Sequence, residues 1–179
     1  LTLKKTNVTT GCTKDTSIIV TINPLPIPII KGPNTICGFD KPVEYSATSS
    51  TSLYTWSIES GKASLSSENE AITKITFGGI GNVLLRLTER TLAGCIKDTS
   101  ITITVKNSIN PEFSAANGKN QFCKGDSIQL MCSLDAAGYQ WKLNGNDIID
   151  AVGKSYTAKI PGTYSVLVKT SDCQALSKE

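Results

Sequence analysis

The chain has 179 residues, room for one or two small domains, and its 39% hydrophobic content can bury cores of modest size. Its 18 Lys and Arg against 15 Asp and Glu leave a net charge of +3 spread along the chain, with no basic run interleaved with aromatics, which argues against a nucleic-acid surface. Six cysteines with no histidine and no Cys-x-x-Cys pair argue against zinc and for disulfides in an oxidising compartment.

In chain order, Leu1 and Leu3, then Ile18, Val20 and Ile22, alternate with polar residues as half-buried strands do. Residues 1–23 thus read as one long-looped hairpin. A lone hairpin is marginal in water, so this one is expected to be the last two strands of a preceding repeat. Pro24 to Pro33 holds four of the seven prolines and reads as a stiff linker. The longest apolar run, Leu25 to Ile30, is broken by Pro26 and Pro28 and falls short of the roughly 18 residues of a membrane helix.

From Ile36, short alternating stretches follow at close spacing: Val43–Ala47, Tyr54–Ile58, Ile72–Phe77, Val83–Leu87 and Thr99–Val105, with Gly61, Gly78-Gly79 and Gly81-Asn82 at the turns. That is the pattern of a β-sandwich. A second linker, Asn107 to Pro111, leads to Ile128–Cys132, Tyr139–Leu143, Tyr156–Ile160 and Tyr164–Val168, with Asn144-Gly145 as a two-residue hairpin turn. No segment carries a helical period, so an all-β fold with almost no helix is expected.

The chain repeats itself. Gly11-Cys12-Thr13-Lys14-Asp15-Thr16-Ser17-Ile18 returns as Gly94-Cys95-Ile96-Lys97-Asp98-Thr99-Ser100-Ile101, the distance of one small sandwich module. Tyr54-x-Trp56 falls on Tyr139-x-Trp141, Ala47 on Cys132, Cys37 on Cys123, Gly81 on Gly162 and Cys95 on Cys173. Three units follow: 1–23, a C-terminal hairpin remnant; 24–108, a full sandwich; and 109–179, a second sandwich. Only Gln174 to Glu179 follow Cys173, so the third unit is expected to lack its last strand, and the chain to be a window onto a longer array.

At Tyr54-x-Trp56, Gly61, Phe77-Gly78-x-x-Gly81, Leu85 and Gly94-Cys95, the middle unit resembles the PKD-like repeats of large Bacteroidetes surface proteins. At Phe122-Cys123-Lys124-Gly125-Asp126-Ser127, Tyr139-Gln-Trp141, Asn144-Gly145 and Gly162-Thr163-Tyr164, the third resembles their Ig-like repeats. The resemblance implies export by the type IX system and a role in adhesion, in gliding, or as a spacer beside polysaccharide-degrading domains. The aspartates of the PKD Trp-Asp-Phe-Gly-Asp motif are absent at Trp56-Ser57-Ile58-Glu59-Ser60, so no calcium role carries over.

Cys37 with Cys95, and Cys123 with Cys173, each bracket one repeat and are expected to pair, the alternative being buried free thiols. Cys132 lies in step with Ile128 and Leu130 and is expected to be buried and unpaired. Cys12 has no evident mate. Trp56 and Trp141 sit mid-strand in step with Ile58 and Leu143, which favours core over sugar stacking, and Tyr164 after Gly162 is expected to make a corner hydrogen bond. Phe39, Phe113 and Tyr156 are too scattered to form a sugar platform. Glu68, Glu70, Asp135, Asp147 and Asp150 read as solvated turn residues rather than a glycosidase pair. No catalytic residue, cofactor or metal site is expected. The expected function is a non-catalytic structural or adhesive repeat region, extracellular or at the cell surface, with surface glycans or proteins as partners. The alternative is a carbohydrate-binding accessory region of an exported polysaccharide-degrading enzyme. Uncovered apolar residues in the hairpin suggest strand pairing between chains through residues 1–23.

Overall fold

The alternation in the sequence becomes alternate burial. Along Ile72–Phe77, Thr73, Ile75 and Phe77 point inward, and along Gly81–Arg90 it is Val83, Leu85 and Leu87. The structure, a computed structural model, describes residues 1–48 and 52–178 and contains strands and no helix among them.

The strands are β1 (Thr2–Thr6), β2 (Thr13–Ser17), β3 (Ile30–Lys31), β4 (Thr35–Cys37), β5 (Val43–Ala47), β6 (Leu53–Ser60), β7 (Ala63–Leu65), β8 (Ile72–Phe77), β9 (Gly81–Arg90) and β10 (Ile96–Lys106). They continue as β11 (Phe113–Ala115), β12 (Ile128–Cys132), β13 (Gly138–Leu143), β14 (Asn146–Asp147), β15 (Ser155–Ala158), β16 (Tyr164–Lys169) and β17 (Gln174–Leu176). The middle unit packs a β3-β5-β8-β7 sheet against a β4-β10-β9-β6 sheet, around Tyr45, Trp56, Ile75, Leu85, Leu87 and Ile103. The third packs β11-β12-β15 against β14-β13-β16-β17, around Leu130, Cys132, Trp141, Val166 and Val168. Both are β-sandwiches.

One device recurs in both units. The backbone N–H of Trp56 donates to Glu68 O and its indole Nε1 to Glu70 O, at 2.7 and 2.8 Å. Trp141 donates likewise to Ala151 O and Gly153 O, both at 2.9 Å. In each unit an irregular strap crosses the sandwich and satisfies the indole N–H that burial removes from water. Trp56 faces Leu87 across the ladder and Trp141 faces Val166. Val166 therefore occupies the place of Leu87, and Gly162 that of Val83. The expected match of Gly162 with Gly81 is thus two residues out of register, because β16 starts later than β9.

Turn chemistry is local. Asn144 (φ 51°) and Gly145 (φ 81°) make the two-residue turn between β13 and β14. At Gly61 (φ 95°) a Cβ would stand 2.5 Å from Asn82 O, so only glycine fits there. Tyr45 is buried, donates its hydroxyl to Pro33 O at 2.7 Å, and its pKa is pushed up to about 12 by burial. An unfolded tyrosine ionises near 10, so this phenol supports the fold fully below that pH. The support drains away as pH rises through about 12, with an upper bound of about 3 kcal/mol. Tyr45→Phe should flatten that alkaline loss of stability, read by urea midpoints between pH 9 and 12.

Three expectations need correction. The hairpin is formed by polar residues: β1 pairs with β2, Thr2 opposite Ser17, while Ile18–Ile22 form no strand. Ile19 and Ile22 are 96% and 92% exposed. The Leu1 carbonyl accepts from Ile18 N beyond the last pair of this ladder, and Ile18–Ile22 have no ladder partner among the described residues. The third unit does begin a final strand, because β17 pairs with β16.

The cysteines pair between units, not within them. Cys37 is bonded to Cys173, with Cα atoms 5.7 Å apart, while Cys95 and Cys123 are free. Each expected pair brackets one sandwich in sequence. Cys37, however, ends β4 beside Lys106, where the middle unit hands the chain to the next, and the Thr170–Cys173 turn of the third unit closes on that junction. Lys106 Nζ lies 2.5 Å from Asp172 Oδ2 across it. The Lys106 hydrogen bond, then that of Ser171, holds the Asp172 carboxyl below its usual pKa.

Candidate functional site

In the middle unit the second half of β10 lies between two partners. Its Ile101, Ile103 and Val105 stand opposite Leu85, Val83 and Gly81 of β9, and Thr104–Lys106 run parallel to β4. The third unit has both flanks without that filling. β17 pairs only as far as Leu176, after which Ser177 N donates to Val166 O. Gln121–Cys123, the counterpart of β4, forms no strand, and β16 begins only at Tyr164.

Between these edges lies a groove of about 1030 Å³. Phe113, Phe122, Ile128, Leu130, Ile160 and Tyr164 give it an apolar floor, and Lys119, Lys124 and Lys159 stand in its wall. Phe113 meets Trp141 edge-on at 5.3 Å, Tyr156 stacks on Trp141 at 6.1 Å, and Tyr164 lies 5.9 Å from Tyr156. An aromatic ladder therefore runs from the core into the groove. Tyr164 donates its hydroxyl to Ile160 O at 2.8 Å; burial, then Tyr156, pushes its pKa up. In the sequence Phe113 and Tyr156 read as too scattered to meet, and neither Phe122 nor Ile160 marks a groove, since a groove depends on how the edges of two sheets face each other.

The other singled-out residues scatter. Trp56 and Trp141 are both buried in their cores, and Cys132 is buried with a free thiol. Cys12 is free and exposed at the hairpin loop. Phe39 is exposed, whereas Phe113 and Tyr156 pack against the Trp141 core. Asp147 pairs with Lys142 and Asp135 with Lys154, on the surface. Asp147 lies in β14 and Glu68, Glu70, Asp135 and Asp150 lie outside the strands; none of them lines the groove, and no group of metal-ligating residues occurs among the described residues.

No protein family's sequence profile matches the chain, and no curated protein is similar to it. Solved structures are similar in fold. The fibronectin(III)-like modules of CbhA from Clostridium thermocellum align at 16% identity and a TM-score of 0.51, covering 84% of this chain and 92% of theirs. The PKD domain of the KIAA 1837 protein aligns at 13% and 0.43, covering 52% and 98%. The N-terminal Ig1-2 module of the Drosophila receptor protein tyrosine phosphatase DLAR aligns at 11% and 0.32, covering 84% and 95%. The chain is all-β and built of β-sandwiches, a fold it shares with the CbhA modules.

Proposed function

We propose that this chain is a load-bearing repeat region, non-catalytic and structural or adhesive, of a secreted or surface protein of the Bacteroidetes type. Its units are 1–23, 24–108 and 109–179. The observation that carries this reading is the Cys37–Cys173 bridge between consecutive sandwiches. A disulfide persists in an oxidising compartment, which favours the cell exterior. It also reroutes tension: a pull on the two ends passes from Cys37 to Cys173 and bypasses nearly all of both sandwiches. Repetition of such units would multiply weak contacts with glycans or proteins on another surface.

Single-molecule stretching tests this. The oxidised chain is expected to extend without releasing the segment between the two cysteines, which stand 136 positions apart. Reduction should add roughly 450 Å of contour length at about 3.3 Å per residue. Full extension of the oxidised chain would sink the load-bearing reading. The carbohydrate-binding alternative is favoured by one feature, the aromatic floor of the groove. A glycan array is expected to stay blank; reproducible binding to one polysaccharide, lost in Phe122→Ser, would install the alternative instead.

A further inference from the structure

We infer that the joint between the two sandwiches is redox-gated. A small-molecule thiol entering at Cys37 opens the Cys37–Cys173 bridge in the folded chain, and the sandwiches, each still folded, then swing about Asn107–Ser108. The inference rests on the load-bearing reading above and gives its bridge a chemical release.

The chain crosses the joint once, and the crossing is short. Lys106 ends β10, and its carbonyl accepts from Gly38 N at 2.9 Å, which fastens it to the middle unit. Ile109 packs against the Trp141 core and Pro111 is buried. Glu112 O accepts from Ser133 N at 2.9 Å and from its hydroxyl at 3.0 Å, so residues from Ile109 onward belong to the third unit. Asn107 and Ser108 remain between them, both exposed and outside any strand. Each residue brings two soft dihedrals, enough for one small body to turn against another. Among the described residues, no strand of one unit pairs with a strand of the other, and their hydrophobic cores are separate. The side-chain bonds that cross are the Cys37–Cys173 bridge and the Lys106–Asp172 ion pair. Both members of that ion pair are partly solvated, so it fixes the orientation only weakly once the sulfurs part.

Exposure decides where a thiol enters. Cys37 is exposed at the end of β4, whereas Cys173 is only 6% exposed. Cys173 sits in a turn closed by its own N–H on Thr170 Oγ1 at 3.0 Å, with its Sγ 3.8 Å from Asn107 O. An incoming thiolate therefore attacks the Cys37 sulfur. The S–S bond breaks, Cys173 leaves as a thiolate and takes a proton from water, and Cys37 carries a mixed disulfide. A second thiolate attacks the small-molecule sulfur of that mixed disulfide, which frees the Cys37 thiol. Two small thiols are thereby oxidised to one disulfide, and the protein bridge is reduced to two thiols. Neither cysteine belongs to either core, so opening the bridge removes no core contact. Closed, the joint holds the two bodies at one angle and carries load; open, it is a swivel.

The test uses the full chain carrying Cys12→Ser, Cys95→Ser and Cys123→Ser, which leaves the buried Cys132 as the one free thiol. Glutathione without denaturant is expected to give a mixed disulfide that peptide mapping places on Cys37, with Cys173 open to alkylation. Dithiothreitol should then open the bridge fully, at a rate linear in thiol and unchanged by urea below the unfolding transition. A bridge reached only by global unfolding would instead open exponentially faster as urea rises. Residual dipolar couplings read the joint itself. Amides of β8, β9, β13 and β16 should fit one alignment tensor in the oxidised chain and two different tensors after reduction, with their chemical shifts kept. Adding Cys37→Ser and Cys173→Ser should produce the same two tensors with no thiol present. A mixed disulfide on Cys173, opening that follows unfolding, or one tensor kept after reduction would overturn the inference. Those results leave the stretching experiment standing, whereas full extension of the oxidised chain removes the load-bearing role without touching the joint.

Discussion

Trp141→Ala is expected to unfold the third unit and leave the middle unit folded. The indole is fully buried, packs edge-on to Phe113 and against Tyr156, and holds the strap through Gly153 O. Truncating a buried tryptophan costs about 3–5 kcal/mol, and the strap carbonyl left without its donor adds about 1 kcal/mol. A small sandwich has about that much net stability in total. The chain has two tryptophans, one per sandwich, so Trp56 remains as a reporter of the middle unit alone. Its fluorescence should stay that of a buried indole while the amides of β12, β13 and β16 lose protection in hydrogen exchange. Trp141→Phe, which keeps a ring and loses the N–H, should cost far less and keep those amides protected. Equal loss of protection in β8 and β9 would show that the two cores do not stand separately.

Reduction of the Cys37–Cys173 bridge should produce the second large effect, and a different kind of effect. The bridge closes a loop of 136 residues, which in the chain-entropy model is worth about 5 kcal/mol against the unfolded chain. Neither core loses a contact when the sulfurs part. The gain is therefore felt when both sandwiches are unfolded, and much less when one alone opens. Urea unfolding of the oxidised chain is expected to be coupled, with a late midpoint. Cys37→Ser should separate it into two transitions, each earlier, with the folded-state circular dichroism unchanged. The Lys106–Asp172 ion pair stays across the junction in that variant, but both side chains are solvated and contribute little. An unchanged midpoint in Cys37→Ser would show that the bridge adds nothing to stability.

Much of the fold was legible because strand patterns are local. Val43–Ala47, Ile72–Phe77 and Ile128–Cys132 announce themselves by alternation, and the structure forms β5, β8 and β12 over those residues. The Asn144-Gly145 turn needs only two left-handed residues, and both are present. Where pairing depends on a distant partner, the same pattern misled. Ile18, Val20 and Ile22 alternate as well as any strand here, yet form none, because no backbone among the described residues lies opposite. The short strands β4, β7, β11 and β14 carried no usable pattern; their neighbours make them strands. The groove was illegible for the same reason, as it exists where Gln121–Cys123 and Ile160–Thr163 lack the strand that β10 supplies in the middle unit.

The sequence by itself determined that this protein is a tandem of all-β units with tryptophan cores, since periodicity and repetition are properties of neighbouring residues. It also determined how many cysteines there are and where each stands on its repeat. Which cysteines meet was decided only by the tertiary structure. Spacing allowed Cys37 to close on Cys95 within a unit; the packing of one sandwich on the next put Cys173 there instead. A bond between residues 136 apart is a statement about how two folded bodies abut, and no local pattern encodes it.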